Sequence, residues 1–166
     1  MRVPAFRCEC TSVIRVGTRT PGWEYPLEWQ PGGNIDSMNR QVAPASIAEP
    51  AAHYSHAVVT DSASTWLHTS GVVPTNPDGT VPSTIEEQAT VVWANLVAIL
   101  NEAEFATSDV VSVTTYVVVD QLAALPAVMS ARDSALGGHR AASTLVTVPA
   151  LARPEWKMEI ALIAAR

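Results

Sequence analysis

The sequence predicts an α+β fold: a mixed β-sheet with two helices on one face. Three observations carry this. A capping signal at Ser83–Glu86 is followed by apolar residues at helical spacing. Asp109–Val119 is β-branched with only short polar breaks, as in a central strand. The chain then ends in two apolar strands around a proline-bounded turn.

In chain order, Ser55–Thr60 and Thr65–Thr69 read as strands joined into a hairpin by Asp61–Ser64. Gly71 to Pro82 reads as a loop, with Asn76-Pro77-Asp78-Gly79 as its turn. The first helix runs from the capping box to about Ala103, with Ile85, Ala89, Val92, Leu96 and Ile99 as its apolar face. After the central strand, Asp120 is expected to cap a second helix over about Leu122–Leu136, which Gly137-Gly138 ends. Asp109 is read in the same way, as a capping residue at an element boundary. Ser143–Val148 and Trp156–Ala164 are the last strands, and Glu159 is the one acid in the second of them. A carboxylate there is costly unless it is paired or put to use. The order β-β-α-β-α-β-β leaves one sheet face for another copy of the chain to cover.

Residues 1–37 have a different texture. They hold Cys8, Cys10, Trp23, Trp29 and two Pro/Gly clusters, with a short strand at Ser12–Val16. They are expected to form an N-terminal extension, and Met38 is a natural start for the domain over residues 38–166. The rival expectation is a genuine arm packed by its tryptophans.

At 166 residues with 48% hydrophobic and 16% charged content, the chain is long and apolar enough for one globular domain. The net charge is −6 and the basic residues form no stripe, which argues against nucleic acid as a partner. No apolar run approaches the roughly 20 residues that span a bilayer, and no signal-peptide core opens the chain. A cytoplasmic protein with no membrane partner is expected. Cys-x-Cys without further ligands is a poor metal signal, so no metal site is assigned. No P-loop, dinucleotide fingerprint or Ser-His-Asp order is present.

Four blocks in order resemble the YjgF/RidA family over about residues 38–166. Ala52-His53-Tyr54-Ser55-His56-Ala57-Val58 resembles the family's G-P-Y-S-Q-A-V, and His68-Thr69-Ser70-Gly71 its S-G-Q turn. Ile85 to Leu100, with Gln88, Asn95 and Leu96, resembles its first helix. His139 to Ala164 resembles its R-P-A-R…V-E-I-E-x-I-A ending.

The resemblance implies a chorismate-mutase-like fold and a homotrimer whose sheets form an inner barrel. It implies ligand clefts between subunits for a small-molecule metabolite. It also implies hydrolysis of enamines or imines to a carbonyl compound and ammonia, without metal or organic cofactor. Tyr54 matches the family's tyrosine, Ser70 and Gly71 its ligand loop, and Glu159 the acid that orders water. The substrate-anchoring arginine is not matched. Ser143 stands in its place, with Ala141 at the adjoining proline and Val72 at the glutamine. A single hydroxyl cannot replace a guanidinium fork on a carboxylate. Arg140 falls on the opposite strand face from Ser143. Arg132, on the second helix, is the cation able to reach inward, its ordinary reading being a solvated helix arginine. His56 replaces the family's glutamine beside Tyr54 and is a candidate acid or base.

Two functions are therefore carried forward. One is a deaminase-like hydrolase with a non-standard substrate. The other is a non-catalytic ligand-binding or regulatory trimer. RNA cleavage, attributed to some relatives, is opposed by the acidic charge.

Overall fold

The computed structural model describes residues 38–166. The expected extension over residues 1–37, with the strand predicted at Ser12–Val16 and the cysteine pair, lies outside the described residues. The elements are β1 (Asn39–Val42), β2 (Ala57–Thr60), β3 (Trp66–His68), α1 (Ile85–Glu102), β4 (Val110–Val118), α2 (Leu125–Ala135), β5 (Ala142–Val148) and β6 (Met158–Ala165). A four-stranded mixed sheet has the order β3-β6-β4-β5, with β4 and β5 parallel and the other pairs antiparallel. This is the predicted α+β class.

Strand alternation sorts the sheet into two faces. On one, Val113, Val117, Met158, Ile160 and Leu162 are buried in a common core with Ile85, Ala89, Val92, Leu96 and Leu100 of α1 and Val128 of α2. The facing pairs Val113 with Leu162 and Val117 with Met158 come from the β4–β6 register. The other face carries Ser112, Thr114, Tyr116, Glu159 and Ile163, with Trp66 and Val146 exposed near its edges. Truncating Leu96, fully buried, to Ala is worth about 3 kcal/mol by the usual cost of a core cavity.

Several sequence expectations are corrected. β2 and β3 do not form a hairpin. β2 pairs with β1, while β3 pairs with β6. The reason lies in distant partners: Asp61 N donates to Met38 O, and the Ser64 and Thr65 amides both donate to the Arg166 carbonyl. The capping box sits one residue later, at Thr84 and Glu87. The buried Gln88 side chain donates to the Pro82 and Glu155 carbonyls and accepts from Lys157 N, all at 2.8 Å, which fixes where α1 starts. Ile99 is exposed and Leu100 takes its core position, because the buried stripe steps 96 to 100.

Asp120 caps nothing. It sits in a short 3₁₀ turn, Val119–Ala124, and accepts from the Gln121 side chain. α2 begins only at Leu125, without a side-chain cap and with proline in its first turn. Proline has no N–H, so one orphan donor is absent there. Asp109 does act at a boundary: its carboxylate accepts from Ala106 N at 2.8 Å. β6 starts at Met158, and Trp156 lies in the preceding turn beneath Arg153. The Asn76–Gly79 turn is present, and the Asp78 carboxyl is held below its ordinary range by bonds from the Thr80 hydroxyl and amide. Gly137 and Gly138 end α2 with φ of 58° and 89°, the left-handed conformation glycine allows.

Candidate functional site

The predicted site residues fall into two groups, one about β6 and one at the β5 edge, on opposite faces of the sheet. The first surrounds Glu159. Met158 and Ile160 point into the core, so Glu159 faces the other way, half-buried, opposite Tyr116 on β4. Beyond β3 the chain steps out at Ser70 and Gly71, both exposed, and rejoins β6 at Val72. Val72 N donates to Ile160 O at 2.8 Å, and Ile160 N donates back at 3.1 Å. The Glu159 side chain lies directly against Gly71. A Cβ on Gly71 would overlap the carboxyl and come within 2.9 Å of Glu159 Cγ. A glycine is thus required for the acid to lie where it does. Among the described residues no cation pairs with Glu159, and Lys157 and Arg153 precede it outside β6.

The second group surrounds Ser143. Its register opposite Val113 puts it on the helix side of β5. There it meets Arg132 of α2, which is buried, at 3% exposure, rather than solvated. Arg132 Nη1 donates to Ser143 Oγ at 3.2 Å, and Nη2 donates to the His53 carbonyl at 3.0 Å. Nε and Nη2 both donate to one Asp133 oxygen, at 2.9 and 2.7 Å. Residues 53–55 run along the start of β5: Ser55 N donates to Ala141 O, and Ser55 Oγ to Arg140 O. Tyr54 is half-buried in this segment, its ring edge-on to His56 at 6.2 Å. His56 Nε2 lies 2.8 Å from the Ala48 carbonyl, a partner within its own loop.

Ser70, Gly71 and Glu159 are therefore brought together, and so are Ser143, Arg132 and the 53–56 segment. The two groups are not joined. β6 and β5 are two strands apart, about 10 Å at ordinary spacing, and Glu159 and Ser143 lie on opposite faces. Sequence reasoning missed Asp133 and Tyr116. For Tyr116 a signal existed: Ser112, Thr114 and Tyr116 recur at every second position of the strand and mark a polar second face, although Thr115 between them interrupts the apolar one. For Asp133, adjacent to Arg132, no periodic signal points to a role. A separate open groove of about 760 Å³ between α1 and α2, lined by Trp93, Ala94, Ala127 and Ala131, contains none of these residues.

No group of acidic, histidine or cysteine side chains suited to a metal occurs among the described residues. No helix there is long and apolar enough to cross a membrane.

The family model described as endoribonuclease L-PSP matches residues 44–166. No curated protein matches the chain. Among solved structures, the chain is similar to YyfB of Yersinia pestis, described as a protein of unknown function of the conserved Rid family. The identity is 31% and the TM-score 0.72, over 78% of this chain and all of that one. It is also similar to a Thermotoga maritima protein described as a putative endoribonuclease, at 32% identity and TM-score 0.57 over 76% and 97% of the two chains. The YjgF gene product of E. coli matches at 27% identity and TM-score 0.56, over 76% and 98%. With its family model spanning most of the sequence and the mixed sheet and two helices shared with these structures, the chain belongs to the YjgF/Rid family.

Proposed function

We propose that the protein hydrolyses an imine, or an enamine after its tautomerisation, in a cleft between copies of a homotrimer. Glu159 orders the attacking water. Water oxygen adds to the imine carbon, and a proton passes to nitrogen. The C–N bond of the resulting carbinolamine then breaks, releasing a carbonyl compound and ammonia. A carboxylate that holds water and relays its proton suits both steps. No metal or organic cofactor enters this scheme.

The observation that carries the reading is the seat of Glu159 on Gly71. The acid is held against a backbone that only glycine permits, half-exposed and without a cation beside it among the described residues. An acid kept for structure alone is normally paired. The separation of Ser143 from Glu159 supports the trimer, because one small ligand reaches both groups only if a second copy supplies one of them. The exposed Trp66 and Val146 on the open sheet face fit the same cover. Ser70 and Tyr54 then shape the pocket walls, with His56 tied to its own loop.

The test is ammonia release from freshly generated imines of varied side chain. Wild type is expected to turn over at least one of them, and Glu159→Gln to lose about 100-fold or more, the usual range for a general acid–base group. Equal rates in the two proteins would sink the proposal. A second reading, a ligand-binding trimer without turnover, is favoured by the missing arginine at position 143. It predicts binding with no ammonia released. An RNA substrate, named in the family description, fits poorly with a net charge of −6.

A further inference from the structure

The β5 edge holds an arrangement that the hydrolytic step does not use. A guanidinium has five N–H donors in a rigid fork, and it grips a carboxylate along one of its two-nitrogen edges. In Arg132 the Nε/Nη2 edge is taken by Asp133, and the Nη1/Nη2 edge by Ser143 Oγ and the His53 carbonyl. The side chain is 4% exposed, and its charge is met by Asp133 at 2.7 Å. A ligand carboxylate could displace these partners only by leaving buried polar groups unpaired. Arg132 is therefore not a transplanted anchor.

Its effect passes through Ser143. That hydroxyl accepts from the guanidinium, and among the described residues its own proton has no acceptor. The residue stays half-buried at the strand edge, open enough for a ligand to approach. Accepting a charge-assisted bond polarises the O–H and makes it a stronger donor. We infer that Ser143, held and polarised by Arg132, is a specificity-determining donor to an uncharged oxygen of the ligand. The edge then selects compounds carrying an amide, ester or ketone oxygen where a carboxylate would otherwise bind. Arg132 is a positioning residue. The inference rests on the reading of the cleft as an imine site, and it deepens that reading by naming the substrate class.

The experiment measures binding of three stable hydrolysis products to the intact protein by calorimetry: a 2-oxo carboxamide, the matched 2-oxo acid and the matched plain ketone. The carboxamide is expected to bind about tenfold tighter than the acid, the worth of roughly one hydrogen bond. Ser143→Ala should lose about that factor for the carboxamide and less than about twofold for the plain ketone, while Ser143→Thr, which keeps the hydroxyl, retains it. Arg132→Lys keeps a cation but not the fork. It should weaken carboxamide binding only when Ser143 is present, so the double variant adds nothing to Ser143→Ala. Tighter binding of the acid, equal losses for carboxamide and ketone in Ser143→Ala, or binding of none of the three would overturn the inference. Turnover reports separately. Carboxamide-selective binding without ammonia release defeats the hydrolytic reading alone. Glu159-dependent release that favours the acid defeats this inference alone.

Discussion

At the β5 edge of the sheet a guanidinium is buried and both edges of its fork are occupied; on the interior strand β6 a carboxylate lies half-exposed with no cation beside it among the described residues. Arg132 is spent on structure: it ties α2 to β5 and to the carbonyl of His53. Glu159 has no ion-pair partner among the described residues, yet the backbone makes room for it at Gly71. A buried charge is retained when its partners satisfy it, whereas an unpaired one is retained where it has work to do. The contrast divides the molecule into a pole that is stable because it is committed and a pole that is available because it is not.

The strongest way to break the contrast is to remove the committed charge. Arg132→Met should destabilise the protein by about 3 kcal/mol, at the low end for a broken buried pair because Asp133 is 37% exposed and can be solvated. Urea unfolding at fixed protein concentration measures this, since assembly would shift the midpoint. A loss below about 1 kcal/mol would mean that the guanidinium is not structural and the two poles do not differ in kind.

Removing the space at the other pole tests whether availability depends on the glycine. Gly71→Ala puts a methyl group where the Glu159 carboxyl lies. The first atom met is the end of a flexible side chain, and Gly71 does not have the positive φ that penalises alanine, so the stability cost should be only about 1 kcal/mol. If Glu159 orders the attacking water as proposed, ammonia release should nonetheless fall at least about tenfold, because a displaced carboxylate would no longer hold that water in line. Combining Gly71→Ala with Glu159→Gln should add little further loss, since both act on one group. Full activity in Gly71→Ala would detach the acid from its seat.

How much of this was legible in the sequence follows the range of the interactions. α1, β4 and β5 were legible because their signals are local: a cap, a 3.6-residue stripe, a β-branched run. The lone acid in β6 was legible for the same reason. The pairing of β2 with β1 was not, because Asn39–Val42 has too little apolar character to announce a strand and its bonds reach Asp109 and Ala165. The start of α2 was misplaced because Asp120 resembles a cap, while the turn after it is closed by backbone alone. Arg132 reads as solvent-facing in a helix of weak periodicity. Its burial depends on Asp133, Ser143 and His53, which come together only once β5 lies beside α2. The fit of Glu159 to Gly71 joins residues 88 positions apart, and no pattern within either segment encodes it.

The smallest expected change in stability is also the sharpest test of the contrast. Glu159→Gln keeps the length and volume of the side chain and removes its charge. With no cation beside it among the described residues, no ion pair is lost, and the half-exposed amide keeps access to water. Unfolding free energy should therefore stay within about 0.5 kcal/mol of wild type, as for substitutions that break no named interaction. A small gain in stability would strengthen the case, because it would mean that the native acid is held at a cost. A loss above about 1.5 kcal/mol would reverse it. The acid would then have a partner in the assembled protein, such as a cation from a neighbouring copy, and both poles would be structural. Running the unfolding beside the ammonia assay separates the cases: unchanged stability with lost turnover assigns Glu159 to chemistry, and the two lost together assign it to the fold.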